Sequence, residues 1–474
     1  MPACNFLLTS LLATLAMLPS AARADTLPPP LEASLARSNI PHSAVAVVVQ
    51  KVDGDAPLVS HRSGEAMNPA SVMKLVTARV ALERLGPTFT WKTGVFTRGE
   101  ISDGVLNGSL HITGGGDPRL PRERLWLLQR ELRAQGIRRI AGDVVTDRSL
   151  FRLAPHDPAA FDQRPLRPYN VGADALMVDY GAIRLRVEPT TDGASVRSDP
   201  LPAGLVIESR ICRSEAGACG DPTSQLSAST AQAGKVTKLS LSGSLAAGCT
   251  EAFDWNLAPL PPDRLFEGLF RSLWKELGGE IGGHFRPGST PPDARLLAET
   301  SSPPLPEVLR DMNKWSNNVI ARHVLATLGA TAEPGQDSVA AGRRVVEQSL
   351  RAAGVDTSGF VIENGAGLSR SARISARSLG QLLVSAWRSP TMPELMASLP
   401  IAGVDGTARR RLANSPAAGH AHVKTGTLDG VRSLAGYVLA HDGQRYAVVL
   451  MINHPNAGAT RDAQDALLEW VTAR

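Results

Sequence analysis

The sequence predicts a mixed α/β (α+β) chain, with one domain of antiparallel sheet and helices interrupted by a β-rich inserted region. Three observations carry this. The chain has 474 residues, about three domains' worth at roughly 150 residues each. Strand and helix patterns stand at both of its ends. The middle reads differently, as short alternating strands with Gly, Ser, Asp and Thr turns.

The elements follow in order. Ser43 to Gln50 (SAVAVVVQ) is a β-branched run of the kind buried strands show, and Asp53-Gly54 offers a hairpin turn before Leu58-Val59. Asn68-Pro69 predicts a helix start, with Asn as cap and Pro at the first helical position; the helix runs to Leu85 and Gly86 stops it. From about Phe96 to Trp255 helix signal is strong only around Arg122 to Gln135. Leu257 to Pro262 and Pro287 to Pro306 look like crossing points back to a helical region. Val431 to Ala440 and Arg445 to Asn453 are two strands joined at Asp442-Gly443, and Arg461 to Val471 is an amphipathic helix. The expected organisation is therefore a discontinuous domain, 25–95 with 256–474, and an insertion, 96–255, of one or two β-rich subdomains.

Composition excludes several classes. Hydrophobic residues make up 43%, enough for a core without a stapling metal or disulfide. Charged residues are 20% and mean hydropathy is −0.07, which fits neither a disordered chain nor a polytopic membrane protein. Aromatics are 4%, thin for a protein that stacks on bases or sugars. Lys+Arg 50 against Asp+Glu 45 gives +5 with no basic block, so nucleic acid is not an expected partner.

Phe6 to Leu18 is apolar but too short for a stable anchor, and Ala22-Arg23-Ala24 offers a cleavage site. Residues 1–24 are expected to be a signal peptide, leaving an exported protein with no stable membrane anchor. Without Arg23 the balance is 49 basic to 45 acidic residues, or +4. Cys4 would leave too. Cys212, Cys219 and Cys249 remain, and an oxidising compartment permits one disulfide among them, with the pair undetermined.

The chemistry begins with what is missing. The chain has no H-E-x-x-H, C-x-x-C, G-x-S-x-G or Walker-type loop. His420 and His422 would share a strand face but read as solvated or core residues, and Gly114-Gly115-Gly116-Asp117 reads as a turn. No metal or cofactor is implied.

Ser71-Val72-Met73-Lys74 is present, and positions i and i+3 share a helix face. A lysine there can take the serine's proton only when neutral. An ordinary lysine at pH 7 is neutral about one part in 2,500, a penalty of about 4.6 kcal/mol. Burial and a second cation must remove most of it. Ser272-Leu273-Trp274-Lys275 matches the same pattern, but Lys275 points away from the apolar face formed by Leu265, Phe266, Leu269, Phe270, Leu273 and Leu277. That pair should be wet. Ser71 and Lys74 share their face with Ala78, Leu82 and Leu85, in a segment apolar nearly all round. Ser316-Asn317-Asn318 follows, then Lys424-Thr425-Gly426. A second Lys92-Thr93-Gly94 precedes the Ser-x-Asn segment and reads as an ordinary exposed strand. Each motif alone is weak; the ordered set is specific.

The set resembles the penicillin-binding-protein and serine β-lactamase superfamily. The gaps, 245 residues from Ser71 to Ser316 and 108 from Ser316 to Lys424, look like one branch. That branch is the class C low-molecular-mass D-alanyl-D-alanine carboxypeptidase/endopeptidase family (penicillin-binding protein 4 type), whose members insert accessory domains between these motifs. Gly116-Asp117-Pro118, Asp147 to Phe151, Gly365 to Arg370, Ala402 to Thr407 and Lys424 to Leu428 look similar to the same pattern; Glu363-Asn364 stands where Asp-Gly is usual.

The resemblance implies a penicillin-binding-protein transpeptidase/β-lactamase-like domain and a periplasmic enzyme. It implies peptidoglycan pentapeptides and cross-linked muropeptides as substrates, and β-lactam antibiotics as covalent inhibitors. Whether the protein forms a homodimer is left open. Ser71 would be the nucleophile and Lys74 its base. Ser316 would relay a proton to the leaving amine. Asn318 would hold Lys74 and the substrate. Lys424 would supply charge near the terminal carboxylate and depress Lys74's pKa; Thr425 would bind that carboxylate. Gly426 completes the motif, and Thr427 would join Ser71 in an oxyanion hole of backbone N–H groups, commonly worth about 3–4 kcal/mol. Asp147, Arg370 and Asp429 would read the amine and carboxylate of a diaminopimelate stem, against the alternative of surface ion pairs and loop caps. Two rivals stand beside this. A β-lactamase lacks its usual E-x-x-L-N water-activating segment here, and a catalytically silent murein-binding protein would usually have lost one motif.

Overall fold

A computed structural model describes residues 25–474. The expected signal peptide, 1–24, lies outside the described residues. Among those described, no helix is long and apolar enough to cross a membrane.

Both ends of the chain build one five-stranded antiparallel sheet. Its order is Pro57–His61, Val45–Lys51, Arg445–Asn453, Val431–Leu439 and Ala421–Leu428. The apolar run at 45–49 now has its reason, because the strand is covered on both faces and alternate side chains enter different cores. Val45, Val47 and Val49 pack with Leu31 and Leu35 of helix Pro29–Arg37 and Leu467 and Leu468 of helix Arg461–Thr472. Ala46 and Val48 face the other way, onto Val72, Met73 and Val76 and onto Leu379 and Leu383 of helix Ala376–Trp387. The neighbouring strand divides likewise, Val448, Leu450 and Ile452 to one core and Ala447, Val449 and Met451 to the other.

The helix expected from Pro69 begins later and differently. Ala70–Val72 is a 3-10 turn and the α-helix spans Met73–Leu85. Asn68 holds the turn, its Oδ1 accepting from the Ala70 N–H at 2.9 Å and its Nδ2 donating to the Ser369 carbonyl at 2.9 Å. Gly86 ends the helix at φ 81°, a conformation open to glycine.

The inserted region has its own core. A second five-stranded sheet runs Phe285–Pro287, Val144–Asp147, Leu110–Gly114, Lys92–Thr97 and Arg295–Ser301. Helices Arg122–Ala134 and Pro262–Glu276 pack with it through Leu125, Leu128, Leu265, Leu269 and Phe270. The expected boundary at 255/256 cuts this core, since Leu265 to Trp274, Leu297 and Ala298 belong to it while Leu305 and Val308 pack with Ala78, Ala81 and Leu82 of the helix that follows Ser71. An amphipathic stripe announces that a helix has a partner without saying which one. Lys92 of the early Lys-Thr-Gly is exposed and pairs with Glu299 at 2.8 Å, but Thr93 and Gly94 are buried in a central strand, not an exposed one. Cys219 and Cys249 form the disulfide, and Cys212 is free and exposed.

Candidate active site

Ser71 stands in the 3-10 turn, directly ahead of a helix whose first six residues, Met73 to Ala78, are all buried. That setting removes water from Lys74 entirely. Its Nζ lies 3.1 Å from Ser71 Oγ, and 2.7 Å from both Asn318 Oδ1 and the Ala366 carbonyl oxygen. Two of these partners can only accept. A neutral amine has two N–H groups and one lone pair, so it satisfies both oxygens and turns its lone pair to the serine hydroxyl. Burial first, then the Lys424 and Arg322 cations, holds Lys74 well below the usual lysine range.

Ser316 lies between helices Leu305–Lys314 and Asn318–Ala332. Its φ of 57° is rare for a residue with a side chain, and this turn presents its hydroxyl 2.9 Å from Lys424 Nζ. Asn317 caps the following helix by accepting from the Ile320 N–H at 3.1 Å, so Asn318 opens that helix beside Lys74. Arg322, one turn on, donates to the Tyr169 carbonyl at 2.8 Å and to the Val171 carbonyl at 2.5 Å. Burial pushes its guanidinium down to about 10.

Lys424 is also fully buried, on strand Ala421–Leu428, and donates to the Thr425 carbonyl at 2.7 Å. Burial brings it down to about 7. Gly426 is a packing requirement: a Cβ there would stand 2.6 Å from the Pro69 carbonyl oxygen and 2.9 Å from the Ser71 backbone nitrogen. The strand therefore passes against the Ser71 turn. Ser433, opposite Gly426, donates to the same Pro69 carbonyl at 2.5 Å. Ser71, Ser316, Thr425 and Thr427 line one cavity of about 660 Å³.

The three expected substrate-reading residues separate. Asp147 is buried, and its carboxylate accepts from the Ser149 N–H at 3.0 Å, the Ser149 hydroxyl at 2.6 Å and the Thr290 N–H at 2.6 Å. These bonds tie it to its own loop and to Thr290, and it does not line the Ser71 cavity. Arg370 and Asp429 do meet, at 3.5 Å and in solvent, and the Arg370 guanidinium lies 4.8 Å above the Phe161 ring.

Two further contributors stand outside the three catalytic motifs, the Ala366 carbonyl, in the Gly365 to Arg370 segment, and Arg322. The Ala366 carbonyl is a backbone atom, delivered by Gly365 and Gly367 at φ 70° and 72°. A Cβ on Gly367 would meet the Ala70 carbonyl oxygen at 1.8 Å. Arg322 had one signal, its i+4 spacing from Asn318.

The chain is similar to known proteins over nearly all of its length. The chain is 31% identical over 443 residues to the D-alanyl-D-alanine carboxypeptidase of Actinomadura sp. (strain R39), covering 89% of this chain and 79% of that protein. It is 27% identical over 418 residues to D-alanyl-D-alanine carboxypeptidase DacB of Haemophilus influenzae, covering 88% and 86%. The crystal structure of penicillin binding protein 4 (dacB) from Haemophilus influenzae superposes with a TM-score of 0.76 at 25% identity, over 93% of this chain and 99% of that one. Residues 28–474 match one family throughout, and the chain belongs to the D-Ala-D-Ala carboxypeptidase 3 (S13) family.

Proposed function

We propose that this protein is an exported, periplasmic serine-type D-Ala-D-Ala carboxypeptidase that also acts as a DD-endopeptidase on cross-linked peptidoglycan. The observation that carries the reading is the Lys74 amine, buried, with its pKa held well below the usual lysine range and 3.1 Å from Ser71 Oγ. The +4 balance expected after removal of residues 1–24 suits an anionic wall polymer.

The reaction follows from the contacts. Ser71 Oγ attacks the carbonyl carbon of the penultimate D-Ala as its proton passes to Lys74 Nζ. The oxyanion is held by the backbone N–H groups of Ser71 and Thr427. Asn318 and the Ala366 carbonyl keep the amine aligned. Lys424 and Thr425 draw the terminal carboxylate. The C–N bond then breaks, and the leaving amine takes a proton through Ser316, which Lys424 holds at 2.9 Å. Water attacks the acyl-enzyme and restores Ser71. β-Lactams acylate the same oxygen.

Labelling with a fluorescent penicillin tests the core of this. A covalent adduct on the wild-type chain that is absent in Ser71→Ala is expected, and no adduct removes the reading. Purified enzyme on disaccharide-pentapeptide and dimer muropeptides tests the rest. Release of D-Ala with intact dimers removes the endopeptidase half. Rapid turnover of benzylpenicillin favours a β-lactamase instead.

A further inference from the structure

The cavity at Ser71 is strongly one-signed. Arg409, Arg410, Arg411, Arg432 and Arg461 line it, and no Asp or Glu does. They come from three places: the segment after the 3-10 turn Gly406–Ala408, the strand Val431–Leu439, and the first residue of helix Arg461–Thr472.

One of the five is compensated. Arg411 is buried, donates to Asp465 and bonds Gln464 at 2.9 Å, so it ties the floor to the helix. Among the described residues no carboxylate lies within ion-pair distance of the other four. Arg461 spends a donor on the Arg410 carbonyl at 2.7 Å. Arg432 donates to Thr427 Oγ1 at 2.6 Å and reaches the Gly458 carbonyl at 3.3 Å, while its Nε is shielded from solvent and without a hydrogen-bond partner. Burial, then Arg411 and Arg461, lowers its pKa. Four uncompensated guanidiniums in one cleft repel each other, and an anion in the cleft relieves that.

A D-alanine leaving group brings one carboxylate, which the reading above gives to Lys424 and Thr425. The arginines line the same cavity as Thr425 and Thr427, and Arg432 donates to Thr427 Oγ1 at 2.6 Å, so in that reading they stand beside the leaving group. We propose that Arg409, Arg410, Arg432 and Arg461 form a second anion subsite on the leaving-group side, selecting amine leaving groups that carry more than one carboxylate. The chemical class is a carboxylate-rich peptide, as at the acceptor side of a peptide cross-link, bound as a guanidinium–carboxylate pair. The inference rests on Ser71 as nucleophile, and the test separates the two.

The test uses acyl-D-Ala peptides that differ only in the leaving residue: D-Glu, its isostere D-Gln, and D-Ala. The expected result is a kcat/KM for D-Glu about tenfold above that for D-Gln, which converts to about 1.4 kcal/mol. In Arg409→Gln/Arg410→Gln the preference falls below twofold, and in Arg409→Lys/Arg410→Lys it largely survives. Arg461→Gln gives a second, single-site reading should the double variant fold poorly, and penicillin labelling of each variant reports an intact Ser71. Equal rates for D-Glu and D-Gln in the wild type, or equal losses on both in the Gln variants, overturn the subsite. A wild-type chain that is not labelled by penicillin overturns the underlying reading as well.

Discussion

Two segments of this chain share the pattern Ser-x-x-Lys, and their surroundings differ in kind. Ser71 and Lys74 lie at the start of a helix buried all round, and the lysine has three polar partners and no water. Ser272 and Lys275 lie on a helix with one wet face. There the serine donates to the Leu201 carbonyl at 2.8 Å and the lysine is exposed. The two Lys-Thr-Gly segments divide the same way. Lys424 is buried beside Ser316, whereas Lys92 sits in solvent against Glu299. Identical letters give a reactive group or an ordinary one according to whether the ammonium ion has water to lose.

That contrast can be broken by exchange experiments. The largest effect is expected from Ser71→Ala, which lowers penicillin acylation roughly 10⁴-fold or more. Ser272→Ala should leave the rate within about twofold, and a large loss there would sink the comparison. Lys74→Met should cost about 10²–10⁴-fold, the usual contribution of a positioned base, against no measurable change for Lys275→Met.

Gly426→Ala should slow acylation about 10²-fold, because the new Cβ displaces the strand from the Ser71 backbone nitrogen 2.9 Å away. At Gly94→Ala the nearest atoms the new Cβ meets belong to the Phe96 ring, at 2.5 Å. This substitution should move the melting temperature and spare the rate.

A smaller effect sharpens the electrostatic half. Activity needs neutral Lys74, so it falls as pH drops through that group's folded pKa. Lys424→Met removes a neighbouring cation, lets Lys74 hold its proton to higher pH, and should move the acidic limb of the acylation profile to higher pH. An unmoved limb would leave burial and the Arg322 cation as the causes. Linkage gives the matching stability sign. Lys424 titrates at about 7 when folded and near its ordinary 10.5 when unfolded. The unfolded chain therefore binds more protons between those values, and stability should rise with pH across that window. The smallest effect on acylation, none, is expected from Cys219→Ala/Cys249→Ala. Losing a link that closes 30 residues should still lower stability by about 3.6 kcal/mol in thermal or denaturant unfolding.

Much of the site was readable because its chemistry is carried by side chains at fixed spacings, and Ser71, Lys74, Ser316, Asn318 and Lys424 meet as their motifs suggested. The sheet was readable at both ends because its strands are apolar on two faces or bounded by Asp-Gly turns. The remainder is carried by things a linear pattern does not encode. The Ala366 carbonyl is identical in every residue type. Asn68 looks like a helix cap and is one step removed from being so, since its amide also reaches Ser369. The burial of Asp147 and its hydrogen bonds to Ser149 and Thr290 are invisible in sequence. The helix at 262–276 showed its apolar face plainly, yet which core would receive that face depended on the two- and three-residue strands Glu280–Ile281 and Phe285–Pro287, too short to announce themselves, and on Arg295–Ser301.

The central sheet has a consequence in time as well as in space. Its first long strand pairs Val45 with Ile452, across most of the chain, and Lys424 stands on the edge strand of the same sheet. Closing such a contact comes at the end of a long loop search, so the sheet cannot complete until the last strands have been synthesised. The inserted core draws on residues 95–298 alone and can form before then. Ser71 and Lys424 can therefore be brought into one site only after the last strands of the sheet are in place.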